Sequence, residues 1–255
     1  MSAQNPFVAL VRQPGSSFAH AISEYAEKNT IHVGRACEQH RVYVQALQAA
    51  GLQVVVLSGD ETWPDGPFVE DTALLLPDRA WICSLKAESR RGEPETLLEE
   101  IGKYRRIERI HPPAFIDGGD VLNIEGTLYV GLSKRTNRSA LEILARHYPV
   151  IAVPVLEGLH LKSSASYLGR NTLVIDPTKL ETAVFSGHDW IAVEKHESAN
   201  CLSVGNRVLM PTGYPRLAGC IREKGFDVVE LPIGEFEKAD GGMTCLSLII
   251  PSVSM

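Results

Sequence analysis

Hydrophobic positions along the chain follow two rhythms in turn. In "EQHRVYVQALQAAGLQVVVL" (38–57) apolar residues first recur at helical spacing; after Gly51 they give way to the β-branched run Val54–Val56. The first rhythm predicts a helix and the second a strand. "PETLLEEIGKYRRIERI" (94–110), "SALEILARHYPVIAVPV" (139–155) and "PRLAGCIREKGFDVVELPI" (215–233) have the same shape. "KLETAVFSGHDWIAV" (179–193) has it more weakly, because Gly187 and His188 interrupt the pattern. Between these units lie pairs of short strands with turn residues in the middle: "TALLLPDRAWICS", "DVLNIEGTLYVG", "SYLGRNTLVI" and "NCLSVGNRVLMPTG". A fifth pair needs both ends of the chain, "TCLSLII" near the C-terminus and "FVALV" (7–11) near the N-terminus. The repeat of roughly 40–55 residues lies in the range of propeller-like arrays. The expected fold class is α/β, a five-bladed α/β propeller of pseudo-fivefold ββαβ repeats. It forms one domain over residues 1–255, closed by the N- and C-terminal strands, which shields the sheet edges. An ordinary α/β sheet is the alternative, but hairpins after every helix do not fit a doubly wound parallel sheet.

Composition narrows the class. The 255 residues are enough for a core without staples, and 44% hydrophobic with 22% charged residues is ordinary for a soluble globular enzyme. A net charge of −6 argues against a nucleic-acid-binding face and is weakly compatible with a cationic substrate. No apolar window is long enough to span a membrane, and the N-terminus lacks the build of a signal peptide. Cys37, Cys83, Cys201, Cys220 and Cys245 are odd in number and form no CxxC pair. Neither a disulfide framework nor a zinc site is indicated, and a reducing cytoplasm is expected.

If the units are equivalent, polar residues at their starts converge on the ring's centre. These are Asp65, Glu70 and Asp71 in "WPDGPFVEDTALLL", Asp117 and Asp120 in "FIDGGDVLNI", and His160 in "EGLHLKSSASYL". Asn200 in "ESANCLSV" and Asp240 and Cys245 in "KADGGMTCLSL" complete the series. Each has a plain structural explanation. Acids before a strand usually sit in a solvated turn, Asp-Gly-Gly turns are common because glycine supplies positive φ, and a lone cysteine in an apolar run is usually core. Their recurrence at one place in successive units favours chemistry. A cysteine attacks as its thiolate, which a neighbouring His160 or a cationic substrate would promote. An acid such as Asp117 could hold His160 in the useful tautomer. Crowded carboxylates repel unless a cation bridges them, and a planar guanidinium matches paired carboxylates well. The pattern reads as a guanidinium cage beside a nucleophilic thiol. Arg90 and Arg91 in "AESRRGE", or Arg135 in "GLSKRTN", are candidates to pair with a substrate carboxylate, although loop arginines are generally exposed.

"FVEDTAL", "ESRRGE", "DGGDVL", "VGLSKRTN", "GLHLKS", "SANC" and "DGGMTCLS" occur in this order, and the chain thereby resembles the dimethylarginine dimethylaminohydrolases of the guanidine-modifying superfamily. The resemblance runs from about Phe7 to Ile250. It implies Cys245 as nucleophile, His160 as general acid/base and Asp117 as its acidic partner. It further implies that Asp65, Glu70 and Asp71 bind the guanidinium and the amino-acid end, that Arg90 and Arg135 bind the carboxylate, and that Asp240, beside Ala239, contacts the guanidinium side. Phe18 would occupy the place of a leucine in the substrate-covering flap, and Ala239 that of a larger Val or Ile. The implied activity is hydrolysis of Nω-methylated L-arginines to L-citrulline and an alkylamine through a covalent thiouronium. No metal or organic cofactor, nucleic acid or membrane is expected, and the chain would act as a monomer or homodimer. Arginine deimination, amidinotransfer and a non-catalytic propeller are the alternatives.

Overall fold

The computed structural model describes residues 7–23, 30–194 and 199–251. Its strands fall into five three-stranded sheets, each built in the same way. In chain order the first sheet holds β3 (Ala73–Leu75), β4 (Ala80–Ile82) and β5 (Ile107–Arg109); the second holds β6 (Val121–Ile124), β7 (Thr127–Leu132) and β8 (Val150–Pro154). The third holds β9 (Ala165–Gly169), β10 (Thr172–Ile175) and β11 (Asp189–Ala192), and the fourth β12 (Leu202–Val204), β13 (Arg207–Pro211) and β14 (Asp227–Leu231). The fifth joins both ends of the chain: β15 (Leu248–Ile250), β1 (Val8–Arg12) and β2 (Gln53–Leu57). In every sheet the inner strand runs antiparallel to the middle one and the outer strand parallel to it, as in Leu10 opposite Leu248 and beside Val55.

Alternation along the middle strands closes the ring. Val8 and Leu10 of β1 pack toward the first sheet with Ala73, Ala80 and Ile82, whereas Ala9 and Val11 pack toward the fourth with Leu209 and Leu231. Leu74 and Val130 join the first sheet to the second, Leu122 and Leu173 the second to the third, and Val174 and Val208 the third to the fourth. Both faces of a blade are therefore buried, and its middle strand reads as a continuous apolar run. All five inner strands border one axial cavity. The expected five-bladed α/β propeller is the observed fold.

The connecting helices vary in quality. α1 (Val33–Ala49) buries Ala36, His40, Tyr43 and Leu47 on one face, the spacing expected of an amphipathic helix. α2 (Leu98–Gly102) is one turn long and continues a 3₁₀ segment, Glu93–Leu97. α3 (Arg138–Leu144) is capped by the Asn137 side chain, and α4 (Pro215–Glu223) begins with proline, whose missing N–H costs nothing there. In the third blade, where Gly187 and His188 interrupt the pattern, the connection has only a 3₁₀ turn, Thr182–Phe185.

Candidate active site

Four blades place a 3₁₀ turn just ahead of the inner strand: Val69–Thr72, Gly118–Asp120, Leu161–Ser163 and Thr244–Leu246. These turns pack on one another in series. They bring Asp71, Asp117, His160 and Cys245 together from positions far apart in the chain. Asp117 and His160 stand at the caps of their turns in extended backbone, which carries each side chain away from its own strand.

The Asp-Gly-Gly segments serve close approach rather than positive φ. None of Gly118, Gly119, Gly241 and Gly242 has left-handed φ; Asp240 does, at 57°. A Cβ at Gly118 would sit 2.0 Å from the Glu70 carbonyl oxygen, and one at Gly119 2.8 Å from Asp71 Oδ1 and 2.9 Å from His160 Nδ1. A side chain at Gly118 would push its turn off the Glu70 backbone, and one at Gly119 would displace Asp71 and His160.

Cys245 and His160 line one cavity with the acids Asp65, Asp71 and Asp240. Arg90, Arg135 and Ala239 complete the part of the wall anticipated from sequence. Asp117 lies behind the imidazole, its Oδ2 3.0 Å from His160 Nε2. Asp71 lies on the other side, with Oδ1 4.0 Å from His160 Nδ1 and accepting from the Gly119 N–H at 3.0 Å. Burial opposes the imidazolium, but Asp71, the hydrogen bond to Asp117 and Asp120 outweigh it and raise the His160 pKa to about 9. Burial likewise opposes the Asp71 carboxylate, yet His160 and Arg90 lower its pKa to about 2. Asp65 accepts from the Ile22 N–H, and burial raises its pKa. Asp120 is structural: it accepts from Leu161 N–H, Ser133 Oγ and Thr136 Oγ1.

Cys245 is partly exposed, and its Sγ accepts from the Gly242 N–H at 3.4 Å. Its loop is held from behind by Tyr43, whose hydroxyl donates to the Met243 carbonyl at 2.9 Å. Burial, then Glu70 and Asp71, push the thiol pKa up. All five cysteines are free.

Arg135 and Arg90 occupy different settings. Arg135 Nη1 is buried without a hydrogen-bond partner and lies 4.0 Å from Asp117 Oδ2; Asp117 Oδ1 is similarly unpartnered. Arg90 is instead engaged: Nη1 donates to Asp71 at 2.7 Å, Nη2 to Glu93 at 2.8 Å and to the Phe68 carbonyl at 3.1 Å, and Nε to Glu93 at 3.0 Å. Burial opposes its charge, but Glu93 and Asp71 hold the guanidinium pKa well above its ordinary value. Glu93 was not singled out from sequence, although its i, i+3 spacing from Arg90 is a pairing signal. Arg91 is half exposed and pairs with Glu88. Glu93→Ala is expected to destabilise the protein by about 3–5 kcal/mol in urea unfolding, because it leaves a buried guanidinium partly unpaired.

Besides Asp117 and Asp120, which stand behind the wall, and Asn200, two residues anticipated as substrate-binding, Phe18 and Glu70, do not line this cavity. Phe18 is fully buried and packs against Phe68 and Phe236, with ring centroids 5.8 and 5.3 Å away. The apolar residue of that segment at the cavity is Ile22, 41% exposed. The 3₁₀ turn Ser16–His20 directs the Phe18 ring inward, and the chain reaches the cavity only after leaving it. Glu70 faces the opposite way from its neighbour Asp71, accepting from Lys162 Nζ and Thr244 Oγ1, each at 2.7 Å. Phe68, Leu159 and Gly241 also line the cavity; each lies within a segment quoted from the sequence, but none carries a polar side chain that would single it out there.

The fold and site define the class: a five-bladed α/β propeller with a cysteine, a histidine–aspartate pair and several carboxylates around one cavity. Residues 12–178 match the family described as N,N dimethylarginine dimethylhydrolase, eukaryotic. The chain is 36% identical to the N(G),N(G)-dimethylarginine dimethylaminohydrolase of Pseudomonas aeruginosa, over 91% of this chain and 99% of that one. It is 34% identical to the Streptomyces coelicolor protein of the same name, over 94% and 95%. A solved structure of the Pseudomonas enzyme, a cysteine-to-serine variant complexed with citrulline, superposes with a TM-score of 0.91 at 32% identity, covering 96% of this chain and 99% of that one. Another, a histidine-to-glycine dimethylarginine dimethylaminohydrolase in an adduct with S-methyl-L-thiocitrulline, superposes at 0.92 with 32% identity, covering 96% and 100%. The chain belongs to the dimethylarginine dimethylaminohydrolase family.

Proposed function

We propose that this protein hydrolyses Nω-methylated L-arginines to L-citrulline and an alkylamine, with Cys245 as the covalent nucleophile. The observation that carries this reading is the single cavity shared by Cys245, the His160–Asp117 pair and the acids Asp65, Asp71 and Asp240. The citrulline complex of the Pseudomonas relative supports the product.

Burial and two carboxylates disfavour a further negative charge at Cys245 and so keep its thiol protonated until a cation binds. A bound guanidinium brings a compensating positive charge, and the thiol proton leaves to solvent. The thiolate attacks the central guanidinium carbon, forming a C–S bond and a tetrahedral adduct. His160, held as an imidazolium by its acidic neighbours, gives its proton to the methylated nitrogen. The C–N bond then breaks, the alkylamine departs and an S-alkylthiouronium remains. Water, losing a proton to His160, adds to the same carbon, and the thiolate is expelled as citrulline forms. Asp117 keeps the imidazole oriented through both proton transfers. Every group this sequence requires is a side chain or water.

In this reading Asp71 and Asp240 hold the guanidinium, Asp65 the α-amino end and Arg135 the α-carboxylate; all four line the one cavity. Arg90 acts through Asp71, which it fixes with a 2.7 Å hydrogen bond. Ala239, on the same wall, is the residue this reading sets beside the N-methyl groups. Arg135→Ala is expected to raise KM about 10- to 100-fold with a small change in kcat, for loss of a charged hydrogen bond worth ~1.5–3 kcal/mol. Steady-state citrulline assays with asymmetric dimethylarginine and monomethylarginine test both the activity and this split. Among the described residues no helix is long and apolar enough to cross a membrane. A single domain acting on a free small molecule in the cytoplasm, without a nucleic-acid or membrane partner, as a monomer or homodimer, is consistent with that and with the reaction.

A further inference from the structure

Arg90 and Arg135 both line the active-site cavity, but only the first has its donors occupied. Among the described residues the Arg135 guanidinium makes no hydrogen bond, and its Nη1 is a buried donor without an acceptor. Burying such a donor is costly, and folded proteins seldom leave one unpaired. The carboxylate that approaches it is Asp117, with Oδ2 4.0 Å from Nη1. That same Oδ2 lies 3.0 Å from His160 Nε2, while Asp117 Oδ1 is a buried acceptor with no donor. An unpaired cation therefore stands just beyond hydrogen-bond reach of the carboxylate that orients the imidazole.

The backbones that carry both side chains are fixed on one scaffold. Thr136 Oγ1 accepts from the Asp117 N–H at 3.2 Å and donates to Asp120 Oδ2 at 2.7 Å. Ser133 Oγ donates to the same Asp120 oxygen at 2.6 Å and accepts from the Arg135 N–H at 2.9 Å. Asp120, at the centre of this set, is fully buried. With both backbones held, side-chain rotation alone closes the gap, and a shift of about 1 Å brings the guanidinium into hydrogen-bond range of Asp117. A second carboxylate arriving in the cavity competes for the same cation and weakens its pull on Asp117.

We propose that Arg135 couples recognition of the substrate's α-carboxylate to the His160–Asp117 pair. Without that carboxylate the guanidinium turns to Asp117 and draws it from His160; with it, the guanidinium is engaged and Asp117 is left to orient the imidazole. The structure shows the second arrangement of the pair, with the His160 bond formed and Arg135 standing off. The proposal rests on the reading of Arg135 as the carboxylate's partner and Asp117 as that of His160, and it adds that a binding group governs turnover. Its consequence is selectivity exerted on kcat. A methylated guanidine lacking the carboxylate binds with Asp117 still shared and reacts slowly. If Arg135 held substrate and transition state alike, the loss would fall on KM alone.

The test measures methylamine release from monomethylarginine and from Nω-methylagmatine, the same molecule without its carboxylate, each at saturation. Release from monomethylarginine is measured first and tests the hydrolase reading itself; the amine tests only the coupling. Wild-type kcat on the amine is expected to be at least about 10-fold lower. Acetate, compared with chloride at equal ionic strength, should raise that kcat about 3- to 10-fold by engaging Arg135 in trans. Arg135→Ala frees Asp117 permanently. Its kcat on the amine should exceed that of wild type about 10-fold, approach its own kcat on monomethylarginine within about 3-fold, and no longer respond to acetate. Neither lost binding nor loosened packing speeds turnover in this way. Equal wild-type kcat for the two substrates, an amine kcat indifferent to acetate, or a variant no faster than wild type on the amine would overturn the proposal. If Arg135→Ala does not fold, the acetate response of the wild type decides alone.

Discussion

Cys245→Ser protein should form citrulline from asymmetric dimethylarginine at least about 10³-fold more slowly than wild type, while still binding the substrate. The hydroxyl is a far weaker nucleophile than a thiolate, and among the described residues nothing lining the cavity acts as a base strong enough to ionise it. His160, the one imidazole lining the cavity among the described residues, is already held in its protonated form by Asp71, Asp117 and Asp120. Asp65, Asp71, Asp240 and Arg135 are untouched, so the Kd measured by calorimetry should stay within a few-fold of the wild-type KM. Mass spectrometry of wild-type protein quenched during turnover should show a covalent adduct on the Cys245 peptide, absent from the variant. Citrulline formation by Cys245→Ser at the wild-type rate would remove the residue from the chemistry.

His160→Gln should lower kcat about 10²- to 10⁴-fold, the range for loss of a general acid. Glutamine can still accept or donate a hydrogen bond beside Asp117, but it cannot release a proton to the leaving amine. Wild-type kcat/KM, which reports the free protein, should fall as pH rises through about 9, where the imidazolium loses its proton. The same group is linked to stability. Its folded pKa lies above the ordinary 6.5, so its contribution is full below 6.5 and is lost as pH rises through about 9. Denaturant midpoints across that window should therefore drop more for wild type than for His160→Gln. A variant retaining the wild-type rate and pH profile would assign proton transfer elsewhere.

The blade architecture was legible because its signals are local. Gly51 ends a helical rhythm and Val54–Val56 begins a strand; that alternation recurs through the chain, and the interruption at Gly187 and His188 marks the one connection that forms only a short 3₁₀ turn. The glycines were legible as turns, but their reason was not. Gly118 and Gly119 are required because the Glu70 carbonyl, Asp71 and His160 leave no space for a Cβ, a contact between blades that no local pattern encodes. Phe18 and Ile22 are both apolar residues of one segment, yet the first fills the core beside Phe236 and the second faces the cavity. Arg90 and Arg135 are alike as loop arginines in sequence, but Asp71 and Glu93 occupy Arg90, whereas Arg135 Nη1 has no hydrogen-bond partner.

By itself the amino-acid sequence determined the repeat, the class of each element and which short segments stand at the blade starts, since these follow from periodicity and turn chemistry over a dozen residues. Only the tertiary structure decided which way each side chain turns at the axis. Glu70 and Asp71 are adjacent in the chain, yet Asp71 lines the cavity with Cys245 and His160, and Glu70 is bound to Lys162 behind it. That choice depends on partners contributed by the other blades, and those partners come within reach only when β15 pairs with β1 and the ring is closed.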